Sequence, residues 1–529
     1  MKIISFYLYF ARNRPPELFF QITIMYIQKI ICFFLFISIV HSAYSQNQDT
    51  LTAHQYYFSG KGNDHNNGTR RHPLKTLDKL NSLSFQAGDR IYFHGGEVFK
   101  GNIFIDSSKS GSLHSAIIIG SYGIGKATIN AGNETALSLH KTRFIVIKNL
   151  MLKGAGRKTG NTKDGLKIDS CSDISVNDID ISGFQKSGLL IYASSNITNR
   201  HVYAHENGSA GISVEGPYAK KESNHKIYFG YCRAENNPGD PTNLTNHSGN
   251  GIVVANCTAV MIEYCTATNN GWDMPRMGNG PVGIWAYEAD SVTIQHCLSF
   301  KNKTSKGGAD GGGFDLDGGV TNSIVQYNFS YQNQGAGYCI FQYLYATPWY
   351  NNIFRFNISE NDGLVSDAKA GIHIWNSSRD SNQFYNCLFY NNTIYNEKNA
   401  AISYSELSDR KNFYFYNNIF EAGDSLIKGT KGDGDIYGGN DWWSINGNFK
   451  IEKRSKKIVG LSIDPGFQKR VSTKHTSAKD LIGITKYQLP QNSLLRKSGI
   501  DLKKKYVIDT GKKDFLSKPI SEKGIGACL

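Results

Sequence analysis

The sequence predicts an all-β solenoid of stacked coils, and three observations carry that prediction. The first is a ladder of Gly-apolar-x-apolar runs: Gly165-Leu-Lys-Ile, Gly188-Leu-Leu-Ile, Gly211-Ile-Ser-Val, Gly251-Ile-Val-Val, Gly283-Ile-Trp-Ala, Gly313-Phe-Asp-Leu, Gly337-Tyr-Cys-Ile and Gly371-Ile-His-Ile. Ala401-Ile-Ser-Tyr continues it with Ala in place of Gly. Spacings of 23, 23, 40, 32, 30, 24, 34 and 30 residues mean one coil per run, with insertions at the turns. The second is a column between the runs: Asn149, Asp178, His201, Cys232, Cys265, Cys297, Asn328, Asn357, Asn392 and Asn418. The third is composition: 54 Gly, 30 Tyr and 29 Phe but only 12 Pro in 529 residues. That suits a large β protein with frequent turns, and a repeat array of this length folds as one body.

The chain starts with a segment of a different kind. From Met25, one Lys and an apolar run lead to Ala43-Tyr-Ser45, a small-x-small site before Gln46. The run is short for a bilayer span, so residues 1–45 read as a secretory signal peptide, with Met25 the true start if 1–24 is an upstream extension. No later apolar run could span a membrane, so the expected place is secreted or periplasmic. Pro73-Leu-Lys-Thr-Leu-Asp-Lys-Leu-Asn has a helical period and should be a short helix covering the open first coil. Gly88-Asp-Arg-Ile-Tyr-Phe then opens the coils, which run to about 425.

Net charge is +14, but residues 46–425 hold 33 basic and 33 acidic side chains, and residues 426–529 hold 21 and 10. The excess sits in a C-terminal region that packs on the solenoid, away from the candidate site, which argues against nucleic-acid binding. The cysteine column reads as small buried thiols, since no CxxC or clustered His accompanies it.

Taken together, the Gly ladder and the Asn/Cys column resemble the right-handed parallel β-helix, the pectate-lyase-like superfamily of secreted carbohydrate-active proteins. The resemblance covers about residues 88–425 and implies about ten or eleven coils with a short N-terminal capping helix. It also implies a monomer acting on a polysaccharide or oligosaccharide.

The Gly ladder sets side-chain direction, because successive residues of a strand point to opposite faces. One and three residues after each Gly are apolar and inward; two and four after it point outward. Outward pairs include Trp285/Tyr287, Asp315/Asp317, Cys339/Phe341 and His373/Trp375. Aromatic faces beside carboxylates suit a sugar cleft. Insertions at 217–226, 236–250, 270–282, 303–312 and 343–352 flank that same face and should wall it.

Chemistry concentrates in Asp310-Gly-Gly-Gly-Phe-Asp-Leu-Asp. Asp315 and Asp317 are two residues apart on one strand, about 6.6 Å between Cα atoms. Close carboxylates push one pKa up and so make an acid and a base. The expected catalytic groups are Asp315, Asp317 and Asp310, with Trp285, Tyr287, Glu288, His373, Trp375, His247 and Arg276 as substrate-binding residues. The cluster is similar to that of polygalacturonase-type hydrolases on this fold, but that family's His and Arg/Lys motifs are missing. The favoured function is glycoside hydrolysis by paired Asp residues, with no firm cofactor. One alternative is a calcium-assisted polysaccharide lyase. There Asp310, Asp315 and Asp317 would hold the cation, and Lys167, Lys306, Arg276 or Lys369 would supply a base, as in lyases of this fold. A second alternative is a non-catalytic glycan-binding or adhesion β-helix.

Overall fold

Every strand-to-strand ladder of the solenoid is parallel, and successive strands stack into three long faces. The computed structural model describes residues 53–365, 369–429, 434–447, 460–468 and 475–529; the expected signal peptide lies outside them. On one face the residues after the Gly runs are in register: Leu166↔Leu189↔Ile212↔Ile252↔Ile284↔Phe314↔Tyr338↔Ile372. All are buried in one continuous core. The expected inward and outward alternation therefore holds along this glycine face. Its glycines are needed for close approach: a Cβ on Gly283 would lie 2.0 Å from Ser299 Oγ and 2.8 Å from the Gly313 carbonyl oxygen.

The stack is longer than the Gly runs imply. A second face begins at Gln55–Phe58, before the capping helix, and pairs upward through Arg90–His94 to Asp435–Gly438. A third ends at Asn440–Ser444 and Gly460–Leu461, so coils continue past residue 425. The capping helix is present at Leu77–Ser82. Thr76 caps it by accepting a hydrogen bond from the Lys79 amide, and Leu77 and Leu80 are buried.

The asparagine column is a hydrogen-bonded ladder. The backbone amides of Cys297, Asn328, Asn357, Asn392 and Asn418 donate to the side-chain oxygens of Asn328, Asn357, Asn392, Asn418 and Asn440 at 2.8–3.1 Å. Each Asn thus satisfies the tight turn of the coil below it. Cys232, Cys265 and Cys297 continue the column as buried free thiols. Its first three expected members are displaced by one residue. The register Ile179↔Leu150 and Asp180↔Tyr203 puts Leu150, Ile179 and Val202 in the inward column. Asn149, Asp178 and His201 instead occupy the preceding left-handed turn position, at φ 54–55°. Both positions favour Asn, one for its amide and the other for its tolerance of positive φ. That outer position continues as a stack of rings, His201, Tyr231, Tyr264, His296 and Tyr327, with centroids 5.0–5.4 Å apart.

A second ladder, not foreseen, stands at the corner that leads into the glycine face. The amides of Asn207, Asn237, Asn270, Asn302 and Asn333 donate to Asn237, Asn270, Asn302, Asn333 and Asp362 at 2.9–3.3 Å. Insertions 236–250, 270–282 and 303–312 each leave the coil at or just after one of these residues. Their stems are therefore fixed by the ladder while their tips vary.

The C-terminal region packs along the outside of the coils. Leu481, Ile484, Tyr487 and Phe515 bury against Leu298, Phe329 and Ile358. Among the described residues no helix is long and apolar enough to cross a membrane.

Candidate active site

A hollow of about 670 Å³ opens on the glycine face above the coils of Gly283 to Gly371. Its floor is the outward set expected from the ladder: Trp285, Tyr287, Asp317, Phe341, His373 and Trp375. Each of the five insertions supplies a wall: Tyr218, Asn246 and His247, Arg276 and Asn279, Ala309 and Asp310, and Tyr343. Tyr218 and Tyr343 were not foreseen as individual residues, though their loops were. The Tyr218 hydroxyl donates to the Tyr345 carbonyl at 3.1 Å and so ties two walls together.

The three aspartates part company. Asp317 lines the hollow, and its carboxyl is pushed up to about 7. Burial is the main cause; the Gly318 amide, donating at 2.7 Å, opposes it, and the Glu288 charge adds to it. Asp310 also lines the hollow, at φ 59° in the wall loop, and its Oδ2 accepts the Gly280 amide at 2.6 Å. Asp315 does not reach the surface. It points out of the core as expected, but it is only 2 % exposed and sits in register between Trp285 and Cys339. Burial, then the charges of Asp317 and Asp310, push it well above the usual carboxylate range. Its Oδ1 is buried with no hydrogen-bond partner among the described residues. Pointing away from the core is not exposure where loops of neighbouring coils roof the face.

Glu288 also departs from expectation. It is fully buried, and its carboxylate accepts the Thr347 amide at 2.8 Å and the Thr347 hydroxyl at 2.6 Å. It holds the 343–352 wall through Thr347, it does not line the hollow, and its charge acts on Asp317. Its partner is 59 residues away, so nothing near it in sequence gave a signal.

The remaining expected residues meet in the hollow. Trp285 donates through Nε1 to Asn250 Oδ1 at 3.1 Å and lies against Tyr287 at 5.2 Å, so it is a fixed floor more than a free stacking face. His247 is half-buried, with Nδ1 2.9 Å from Asn250 Nδ2; that amide contact assigns the proton to Nε2. Burial and the charge of Arg276 hold it down at about 4, so it is neutral at ordinary pH. Arg276 is the one Lys or Arg among the described lining residues, and its buried Nη1 has no hydrogen-bond partner there. His373 Nδ1 lies 2.7 Å from Ser403 Oγ, and Trp375 stands edge-on to Phe341 at 5.9 Å.

A calcium site at Asp310, Asp315 and Asp317 does not fit this arrangement. Among the described residues no three His, Cys, Asp or Glu side chains converge as a cation needs. Asp315 is buried in the strand stack, and Asp310 Oδ2 already accepts the Gly280 amide.

Residues 56–361 match a family model described as the Pel9A-like right-handed β-helix region. The chain belongs to that family. The match takes in all three aspartates and every wall loop, while His373 and Trp375 come from coils beyond it. Among curated proteins, a lacto-N-biosidase of Bifidobacterium longum subsp. longum is 24% identical over 502 residues, covering 73% of this chain and 30% of that protein. The chain thus spans less than a third of that relative's length. Among solved structures, a GH136 lacto-N-biosidase from Eubacterium ramulus aligns with TM-score 0.53 and 18% identity over 79% of this chain and 72% of that one. A PL6 family alginate lyase, AlyGC, aligns with TM-score 0.51 and 15% identity over 75% and 54%. These likenesses show the fold. Proteins of this fold are thus named for more than one reaction, and function has to be read from the site.

Proposed function

We propose that this Pel9A-like β-helix is a glycoside hydrolase, with Asp317 as general acid and Asp310 as the second carboxylate. The observation that carries the reading is the split in environment. One cleft carboxyl is tuned to hold its proton near neutral pH, a second stands in a wall loop of the same hollow, and aromatic side chains form the floor. In the reaction Asp317 gives its proton to the glycosidic oxygen, and the C–O bond breaks with its electron pair going to that oxygen. Asp310 either takes a proton from the water whose oxygen bonds to the anomeric carbon, or itself bonds to that carbon to form an ester that water, deprotonated by Asp317, then cleaves. Asp315 is buried on the same strand as Asp317, and burial and its neighbours' charges favour its protonated form. Its role is to position Asp317.

Two features support hydrolysis over β-elimination. The hollow offers a single guanidinium against its carboxylates, a poor match for a uronate-rich chain. Relatives of this chain are named lacto-N-biosidases. The apolar segment after Met25 supports export, secreted or periplasmic, and the zero balance of charge over residues 46–425 supports a glycan partner over a nucleic acid. The test is a polysaccharide and oligosaccharide panel assayed for new reducing ends and for ultraviolet-absorbing unsaturated ends, with and without chelator. The reading expects reducing ends alone, insensitive to chelator. Unsaturated ends would overturn it.

A further inference from the structure

Toward the N-terminal coils the hollow borders a second lobe of about 300 Å³. The two lobes share Asn246, His247 and Tyr287, so they lie side by side along the glycine face. The chemistry changes along it. The main hollow has aromatic rings in its floor, whereas the second lobe has no Phe or Trp among its described lining residues. It presents two carboxylates instead. Asp164 Oδ1 accepts the Ser187 amide at 2.9 Å, and Glu215, which is exposed, accepts the Ser213 hydroxyl at 2.7 Å.

Lys186 is the lobe's one Lys or Arg among the described lining residues, and its charge is already spent. Its ammonium donates to Asp240 Oδ2 at 2.5 Å, and that carboxylate is fully buried. Two ammonium groups reach Asp164 with their charge, Lys167 and Lys186, but each is paired with another carboxylate, Lys167 with Asp169 at 3.4 Å and Lys186 with Asp240, so Asp164 and Glu215 remain as an excess of negative charge. Burial and the Glu215 charge raise Asp164 to about 6, against the Ser187 amide and the charges of Lys167 and Lys186, so Asp164 is mostly ionised at neutral pH. A sugar hydroxyl donates well to a carboxylate. A uronate placed here would meet that excess of like charge.

We propose that this lobe is a distal sugar subsite beside the main hollow, one that takes an uncharged sugar unit and turns away uronic acids. Resting on the glycan-cleaving reading given above, this makes the substrate a neutral oligosaccharide. Ser213, Val253, Trp285 and Asp315 are in register on successive strands. Three steps of about 4.8 Å separate the lobe from the aspartates. Only a chain of several sugars reaches both.

The test is direct binding, which needs no turnover. Full-length Asp317→Asn protein is titrated with neutral oligosaccharides of increasing length from xylan, mannan, galactan and mixed β-glucan, and with acidic ones from polygalacturonate and alginate. The expected result is neutral binding whose affinity climbs with length until both lobes fill, with no comparable binding of the acidic set. Adding Asp164→Asn with Glu215→Gln should cost the long neutral ligands about tenfold or more in affinity and spare the short ones. If the double change unfolds the protein, Glu215→Gln alone, at an exposed position, carries the test. Unchanged long-ligand affinity in a folded variant would overturn the inference. So would preferred binding of uronates, or no binding of any neutral oligosaccharide. Length-dependent neutral binding without turnover by the wild-type protein would sink the hydrolase reading alone. Turnover with affinity indifferent to length would sink this inference alone.

Discussion

Two columns climb the same coils and end differently. In the asparagine column, Asn328, Asn357, Asn392 and Asn418 each give and accept hydrogen bonds with the coil above and the coil below. One residue type repeats because one problem, a buried turn amide, repeats. In the outward column of the glycine face the residue changes at every rung: Trp285, Asp315, Cys339, His373. There Asp315 keeps a buried oxygen without a partner. A column that satisfies itself is scaffold, and a column of changing residues with an orphaned polar atom is where binding chemistry is stored.

The contrast can be broken most sharply at the aspartates. Asp317→Asn or Asp310→Asn should lower kcat/KM by at least about a hundredfold, while thermal unfolding barely moves. A large loss of stability in either would return that residue to the scaffold. Next comes the reverse case. Asn357→Ala strips the acceptor from the Asn328 amide and the donor from the Val325 carbonyl. It should cost about 2–4 kcal/mol in chemical denaturation, with activity per folded molecule unchanged.

Asp315→Asn should fall between the two. An amide has the shape and charge of the protonated carboxyl, so stability should hold within about 1 kcal/mol. Activity should drop by no more than about tenfold. A loss as deep as that of Asp317→Asn would make Asp315 the acid instead.

The test furthest from the cleft concerns Asp362, which closes the second ladder by accepting the Asn333 amide at 2.9 Å. Burial raises it from 3.8 to about 7. A raised folded pKa contributes stability that is present below the unfolded value and lost as pH rises through the folded one. Wild-type stability should therefore decline between about pH 4 and pH 7 relative to Asp362→Asn, which extends the ladder by one rung. About three pKa units at about 1.4 kcal/mol each make about 4 kcal/mol the most by which melting curves should part across that range.

How much of this was legible in the sequence follows from the same contrast. The Gly ladder and its register were readable because each inward pair repeats at a fixed offset from its glycine. The upper asparagine column was readable for the same reason. The one-residue slip at Asn149, Asp178 and His201 came from two adjacent positions with similar preferences. The second ladder was hidden because its members stand before insertions of different length, so Asn237, Asn270 and Asn302 keep no constant distance to the next Gly run. In the cleft, the direction of Asp315 was readable but its burial was not, because what covers it comes from loops and neighbouring coils. The same holds for Glu288, whose Thr347 partner belongs to a later coil.

The central claim is that Asp317 is the proton donor, and its pH profile tests that most directly. A general acid must be protonated to act, and Asp317 is raised to about 7. On a neutral substrate found by the panel, wild-type kcat/KM should fall about tenfold per pH unit above a midpoint near 7. In Asp317→Asn the residual activity should lose that alkaline limb. An alkaline limb that persists unchanged in Asp317→Asn would contradict the account and assign the proton to another group.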